Sequence, residues 1–277
     1  MNEDEFRRLC DFIYRRTGMV FTEARRYYVE RRVTERRSAT NTASFAAYFA
    51  RLRRDLDGEV EQFINAFTVN ETYFFREEHQ LRCLSGDLLA RRIEARPAGR
   101  PLRIWSVPCS TGEEPYSIAI WLLENWPMVD AFEIEIVGSD IDTRVIEAAR
   151  AGHFGRRALM RLSEPLIAKY FEPEGPESWR IIAELRNSID FTTVNLVDAA
   201  GMRAHGVFDV IFCRNVLIYF DDASRRIAAE NLYDNLMPGG FLCLGHSESM
   251  SRISPLFDVC RYADAIVYQR PREPRHG

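Results

Sequence analysis

The sequence predicts an α/β protein: a Rossmann-like, doubly wound sheet of mainly parallel strands, preceded by a small all-helical domain. Three observations carry that expectation. Up to residue 70 the apolar residues recur only at helical spacings. From residue 102 onward, short apolar runs alternate with amphipathic stretches. The first such run, Leu102-Arg103-Ile104-Trp105-Ser106-Val107, ends in the small-residue turn Pro108-Cys109-Ser110-Thr111-Gly112 and continues as Glu113-Glu114-Pro115-Tyr116-Ser117. In an open α/β sheet, a turn between the first strand and its helix is where a nucleotide-like ligand sits.

The elements run in order along the chain. Phe6, Leu9, Cys10 and Ile13 recur at spacings of three and four and give one amphipathic helix. Thr17-Gly18 ends it, and Thr22 opens a second helix after a one-turn lead-in to Arg25. Apolar stretches at 43–49 and 63–67 supply two more. A long helix is expected over 77–96, with Leu81, Leu84, Leu88, Leu89 and Ile93 on one side, before the break Pro97-Ala98-Gly99-Arg100-Pro101. Strands are expected over 102–107, 133–138, 189–194, 208–213 and 240–245, with helices over 116–126, 143–151 and 222–236. A terminal hairpin joins 259–261 to 265–269. Residues 154–188 break the rhythm and read as a short antiparallel excursion inserted in the sheet. The expected organisation is a helical domain at 1–70, a linker and connecting helix at 71–101, the sheet domain at 102–270 and a disordered tail at 271–277.

Bulk properties exclude several classes. The 277 residues are 46% hydrophobic and 28% charged, which is ordinary for a soluble globular chain. No apolar run is long enough to span a membrane, and the acidic start Met1-Asn2-Glu3-Asp4-Glu5 is wrong for a secretory signal, so a cytoplasmic protein is expected. The six cysteines form no C-x-x-C pair, so no metal is expected. Charge is uneven: residues 1–70 hold 13 Arg against 11 acids, net +2, while the remainder is net −6. Six arginines lie within 25–37 against Glu30 and Glu35, a local basic patch that suits an acidic partner.

The first turn also speaks about its ligand. It lacks G-x-G-x-x-G, and Glu113 and Glu114 stand where a pyrophosphate would meet the helix N-terminus. Two carboxylates there repel phosphate and suit a ligand with a cationic amine and a sulfonium, which is S-adenosylmethionine. A simpler role is to complement the helix dipole. Asp140, just past the second strand, is placed to hold ribose hydroxyls, and Asp142 reads as the N-cap of the next helix. Asn195, past the third strand, is equally an adenine reader or a turn residue.

Two further segments complete a pattern. Asn70-Glu71-Thr72-Tyr73-Phe74-Phe75-Arg76 lies before the turn, and Phe212-Cys213-Arg214-Asn215-Val216-Leu217-Ile218-Tyr219-Phe220-Asp221 lies after it. The three in this order resemble the CheR family of chemotaxis-receptor, protein-glutamate O-methyltransferases, over roughly residues 5–270. The resemblance implies S-adenosylmethionine as cofactor, S-adenosylhomocysteine as product, and glutamates on the cytoplasmic helical domains of chemotaxis receptors as acceptors. It implies that Asn70, Thr72 and Arg76 close over the cofactor, Glu113 contacts it from the turn and Asp140 holds its ribose. Asn195, Leu196, Arg214 and Asn215 fall on its adenine and methionine ends. Pro108 departs slightly from the family's turn.

The chemistry such a reaction needs is modest. A glutamate with a pKa of about 4.3 is already a nucleophile at neutral pH, so no general base is required. The five histidines, His79, His153, His205, His246 and His276, are scattered accordingly. Residues must orient the carboxylate rather than activate it. Tyr219 can donate a hydrogen bond to it, and Arg76 or Arg92 can steer its charge; Tyr219 and Arg92 are the candidate catalytic residues, with a core tyrosine and a solvated helix face as their plainer readings. Arg25, Arg32 and Arg36 recur at near-helical spacing while Tyr28 and Val33 face inward, and the resemblance implies that these arginines meet the receptor. Two other readings stand beside this one: a nucleic-acid or small-molecule acceptor, disfavoured by the lack of interleaved stacking aromatics, and a non-catalytic S-adenosylmethionine-sensing adaptor. A monomer that neither spans a membrane nor binds nucleic acid is expected.

Overall fold

The computed structural model describes residues 1–95, 99–263 and 265–273. The expected helix end at Arg96, the Pro97-Ala98 part of the break and the last four residues of the tail lie outside the described residues.

Residues 3–67 build four helices around an aromatic core of their own. α1 (Glu3–Thr17) opens on a capping box in which the Asn2 side chain and the Glu5 carboxylate each accept from the other's backbone N–H. It closes at Gly18, whose φ of +73° only glycine adopts without strain. A Cβ there would stand 2.8 Å from Val197, so this helix end is pressed against the sheet domain. α2 (Arg26–Ala39) comes after a 3-10 turn, α3 (Phe45–Arg54) starts where Ser44 accepts from the Ala47 N–H, and α4 (Glu59–Phe67) completes the bundle. Phe12 packs edge-on against Phe49 and Phe63, ring centres 5.8 and 5.9 Å away.

The helix expected over 77–96 is built in three pieces: α5 (Glu78–Cys83), a π turn (Leu84–Leu88) containing Gly86, and α6 (Leu89–Ala95). A π turn shifts the helical phase of the residues after it, and Arg92 faces inward.

The strands are β1 (Leu102–Ser106), β2 (Ile134–Asp140), β3 (His153–Gly155), β4 (Phe171–Gly175), β5 (Ser178–Ile181), β6 (Ile189–Thr193), β7 (Phe208–Cys213), β8 (Leu236–Leu244), β9 (Asp258–Arg261) and β10 (Ile266–Gln269). The main sheet runs β6-β2-β1-β7-β8-β10-β9. Its first five strands are parallel, and β10 and β9 are added antiparallel. Alternate residues serve opposite faces. Ile104, Val210, Phe212 and Cys243 pack with α7 (Glu113–Asn125) and α8 (Thr143–Ala151). Trp105, Ile211, Cys213 and Leu242 pack with the helices Ala199–Ala204 and Asp222–Asp234. The doubly wound layout is as expected.

The small antiparallel insertion is present as expected: β3, β5 and β4 form a three-stranded antiparallel sheet of their own beside the main one. Within that stretch, Glu164–Tyr170 and Ala183–Asn187 are helical. β8 begins four residues before the expected 240, because Leu236 pairs with Phe208 ahead of an irregularity in the ladder.

No helix among the described residues is long and apolar enough to cross a membrane.

Candidate functional site

The strand order reverses between β1 and β7, and a cleft opens at the carboxyl ends of β1, β2, β6 and β7. That is the position a doubly wound sheet offers a ligand. Of the residues singled out from the sequence, Asn70, Thr72, Arg76, Asp140, Asn195, Leu196, Arg214, Asn215 and Tyr219 all line it.

The first turn is shaped by its small residues. The Val107–Pro108 peptide is cis, and Ser110 and Gly112 have φ of +50° and +97°. A Cβ on Gly112 would meet Ala149 and Tyr116 at 3.0 Å, so this position needs glycine for space as well as for conformation. Ser110 then works in two directions. Its N–H donates to Asp140 Oδ2 (2.9 Å) and its hydroxyl to the Asn70 carbonyl (3.1 Å), tying the turn to the end of β2 and to the interdomain segment.

Asp140 is almost fully buried, and burial pushes its carboxyl up to about 6 although backbone N–H groups oppose the rise. Ribose hydroxyls donate best to the ionised form. Cofactor affinity is therefore expected to fall as pH drops below about 6, where protonation of Asp140 competes with the ligand. Asp140→Ala is expected to weaken binding by about 1–3 kcal/mol and to flatten that pH dependence; calorimetry across pH 5–8 checks both, and an affinity independent of Asp140 would make it a strand-end acid only.

Glu113 is a correction. It is buried and accepts from the Thr111 hydroxyl (2.7 Å), and Glu114 lines the cleft in its place. The helix starts at Glu113, earlier than the expected 116, which puts Glu114 on the facing side. Glu114 accepts from the Ser106 hydroxyl (2.7 Å) and from Arg214 Nη1 (2.8 Å). Arg214 is buried too; its Nη2 donates to the Arg76 carbonyl (2.8 Å) and lies 3.5 Å from Glu77. Burial works against the charge of Glu77, but Arg214 and His246 outweigh it and hold the carboxyl below its usual range. The Arg214 Nε is buried without a partner among the described residues. A neutralised arginine, a facing acid and an apolar wall of Val107, Ile141, Val194 and Leu196 suit a cationic sulfonium nucleoside and not a pyrophosphate.

Asn70 is held by Asp142, whose Oδ2 also accepts from Thr68 (2.6 Å). Asp142 caps α8 through Arg144 as expected, and anchors the interdomain segment besides. Asn195 lines the cleft, but its amide donates to the Arg16 carbonyl at the end of α1 and its oxygen accepts from the Val197 N–H (3.2 Å), so its side chain is a tether between bundle and sheet. Glu71 and Tyr73 line the cleft from within the quoted segment 70–76; Thr17 and Met19 line it without having been singled out, because the fold alone brings the end of α1 here.

Two arginines are corrected. Arg92 is buried at the opposite end of the sheet, with Nε donating to Asp209 (2.9 Å) and Nη1 to the Pro238 carbonyl (3.0 Å). It is a structural pair with the start of β7, remote from the cleft. Arg36 turns inward: Nε and Nη2 donate to the two oxygens of buried Glu59 (3.0 and 2.6 Å), which also accepts from Tyr48 (2.7 Å). Arg32 is half-buried against the Tyr28 ring and paired to Glu35 (3.0 Å). Arg25 remains exposed, its guanidinium 5.9 Å from the ring centre of Tyr219 at the mouth of the cleft. Among the described residues no His/Cys/Asp/Glu group could hold a metal ion.

The sequence profile of the CheR methyltransferase all-alpha domain matches residues 4–68, and that of the CheR methyltransferase SAM-binding domain matches 70–266. A chemotaxis protein methyltransferase of Vibrio cholerae is 46% identical over 274 residues, covering 99% of this chain and 95% of that protein. One of Salmonella typhimurium is 37% identical over 263 residues, 94% of this chain and 88% of that protein. With both profiles met in order and a phosphate-hostile cleft at the switch point of the sheet, the chain belongs to the CheR methyltransferase family, and the cleft is that of its S-adenosylmethionine-binding domain.

Proposed function

We propose that this protein forms methyl esters on glutamate side chains of the cytoplasmic helical domains of chemotaxis receptors, with S-adenosylmethionine as donor. The carrying observation is the cleft wall: among the described residues it holds Tyr219 but no histidine or lysine, and its carboxylates Glu71, Glu114 and Asp140 each already accept hydrogen bonds from the chain itself. An acceptor that needed deprotonation would want a base there; an ionised glutamate does not. The bound donor supplies an electrophilic methyl group. Everything else falls to the chain's own residues. Arg214 is committed to Glu114 and Glu77, which leaves the acceptor carboxylate free of a tight cation that would lower its ground state. Asn70, Thr72 and Arg76 close the interdomain side and exclude water, which favours a step in which opposite charges disappear. The Tyr219 hydroxyl orients the carboxylate. Six free cysteines agree with a reducing, cytoplasmic setting.

Transfer of labelled methyl to receptor cytoplasmic domains as base-labile esters tests the function; base-stable label, or label on nucleic acid, overturns it, and cofactor binding without transfer favours an adaptor. Tyr219→Phe removes one charge-assisted hydrogen bond, so turnover is expected to fall roughly 10- to 100-fold with S-adenosylhomocysteine affinity nearly unchanged. Equal small effects on both would return Tyr219 to the core. Arg25 is the arginine placed to attract the acceptor. Arg25→Glu is expected to raise the receptor KM and weaken its salt dependence, since exposed charges are screened beyond about 8 Å at physiological salt.

A further inference from the structure

We propose that Glu248 is a positioning residue for methyl transfer: its carboxylate fixes the backbone of the segment from Asn215 to Tyr219, and through it the Tyr219 side chain at the cleft. The proposal rests on the role given to Tyr219 above.

The segment leaves β7 and needs an external hold. Asn215 sits at φ +61°, a left-handed conformation that asparagine tolerates better than other side chains but that its surroundings must still hold. The hold comes from the turn after β8, the neighbouring strand. One Glu248 oxygen accepts from the backbone N–H of Asn215 (2.7 Å) and of Gly245 (2.9 Å), and the other accepts from the Leu217 N–H (2.8 Å). Glu248 makes no ion pair with a lysine or arginine among the described residues, so its charge is answered by backbone donors, which form a small anion-binding nest. Glu248 does not itself line the cleft. The segment it holds does, through Asn215, Val216 and Tyr219. Downstream, Arg225 Nε holds the Leu217 carbonyl (2.9 Å), so the turn before Tyr219 is gripped from both sides. Gly245 leaves no slack: a Cβ there would stand 2.7 Å from Asn215 Nδ2 and 2.9 Å from Glu248 Oε2.

Glu248→Gln keeps the shape but replaces one acceptor oxygen by a donor that must face backbone N–H groups. The expected result is a fall in kcat of at least about 10-fold, S-adenosylhomocysteine affinity within about 3-fold of wild type, and faster amide exchange at Asn215 and Leu217. The pair Glu248→Gln with Tyr219→Phe is expected to be no slower than the slower single variant, because both remove one function. If Glu248→Gln folds poorly, Gly245→Ala presses on the same segment with the carboxylate intact and is expected to give the same kcat loss. A kcat that falls only with the folded fraction, additive losses in the double variant, or unchanged exchange at Asn215 and Leu217 would overturn the proposal. A wild-type protein that esterifies no receptor would instead overturn the functional reading, and the exchange measurement would still judge Glu248.

Discussion

Arg36→Glu is expected to unfold the helical bundle rather than to weaken receptor recognition selectively. The position lies in the basic stretch that the sequence offers to an acidic partner, yet its guanidinium is the counter-charge of Glu59, which is 3% exposed. Reversal sets a second carboxylate against Glu59 inside a cluster that includes the buried Tyr48 hydroxyl. Removing one partner of a buried pair costs about 3–5 kcal/mol, and a like charge in its place costs more. That is a large part of the roughly 5–15 kcal/mol by which domains are stable. Circular dichroism and protease sensitivity of residues 1–70 should show the loss, while Arg36→Leu combined with Glu59→Leu should restore much of the stability. A folded Arg36→Glu protein with normal melting and selective loss of receptor methylation would return Arg36 to the contact surface.

Arg214→Met is expected to abolish cofactor binding at micromolar concentrations. It leaves Glu114 at the cleft with no opposing cation and Glu77 with only His246 beside it, and it frees the Arg76 carbonyl that anchors the interdomain segment. The same cost of about 3–5 kcal/mol corresponds to a loss of roughly two to three and a half orders of magnitude in affinity if it falls on the cleft. Glu114→Gln, which keeps a hydrogen-bond acceptor for Arg214, should lose far less. Calorimetry with S-adenosylhomocysteine distinguishes the two; near wild-type affinity of Arg214→Met would show that the network serves only packing.

These two residues also mark how far the sequence can be read. The strand at 208–213 and the helix at 143–151 are found at the expected limits, because apolar runs and an Asp142 cap report on local structure alone. The cleft is implied by them, since strand ends and their next residues are fixed once the sheet is. The facing of charged side chains is where local reading fails. Whether Glu113 or Glu114 turns inward depends on a helix start three residues away from the expected one. The role of Arg36 depends on Glu59, 23 positions on, and that of Arg92 on Asp209, 117 positions on. Glu248 leaves no signal either, for its partners are backbone N–H groups 31 and 33 residues back, which any sequence supplies.

The end of α1 reaches the sheet domain at several points, among them the Arg16 carbonyl on Asn195, the bridge between Met19 and Phe220, and Thr17 and Met19 in the cleft wall. A ligand in that cleft touches both halves of the chain at once. Its binding free energy is then shared as cohesion between them, acting as a clasp whose strength is set by the supply of donor and product. At a hundredfold excess over Kd the clasp is worth about 2.7 kcal/mol. Saturating S-adenosylmethionine or S-adenosylhomocysteine is therefore expected to raise the melting temperature of bundle and sheet together.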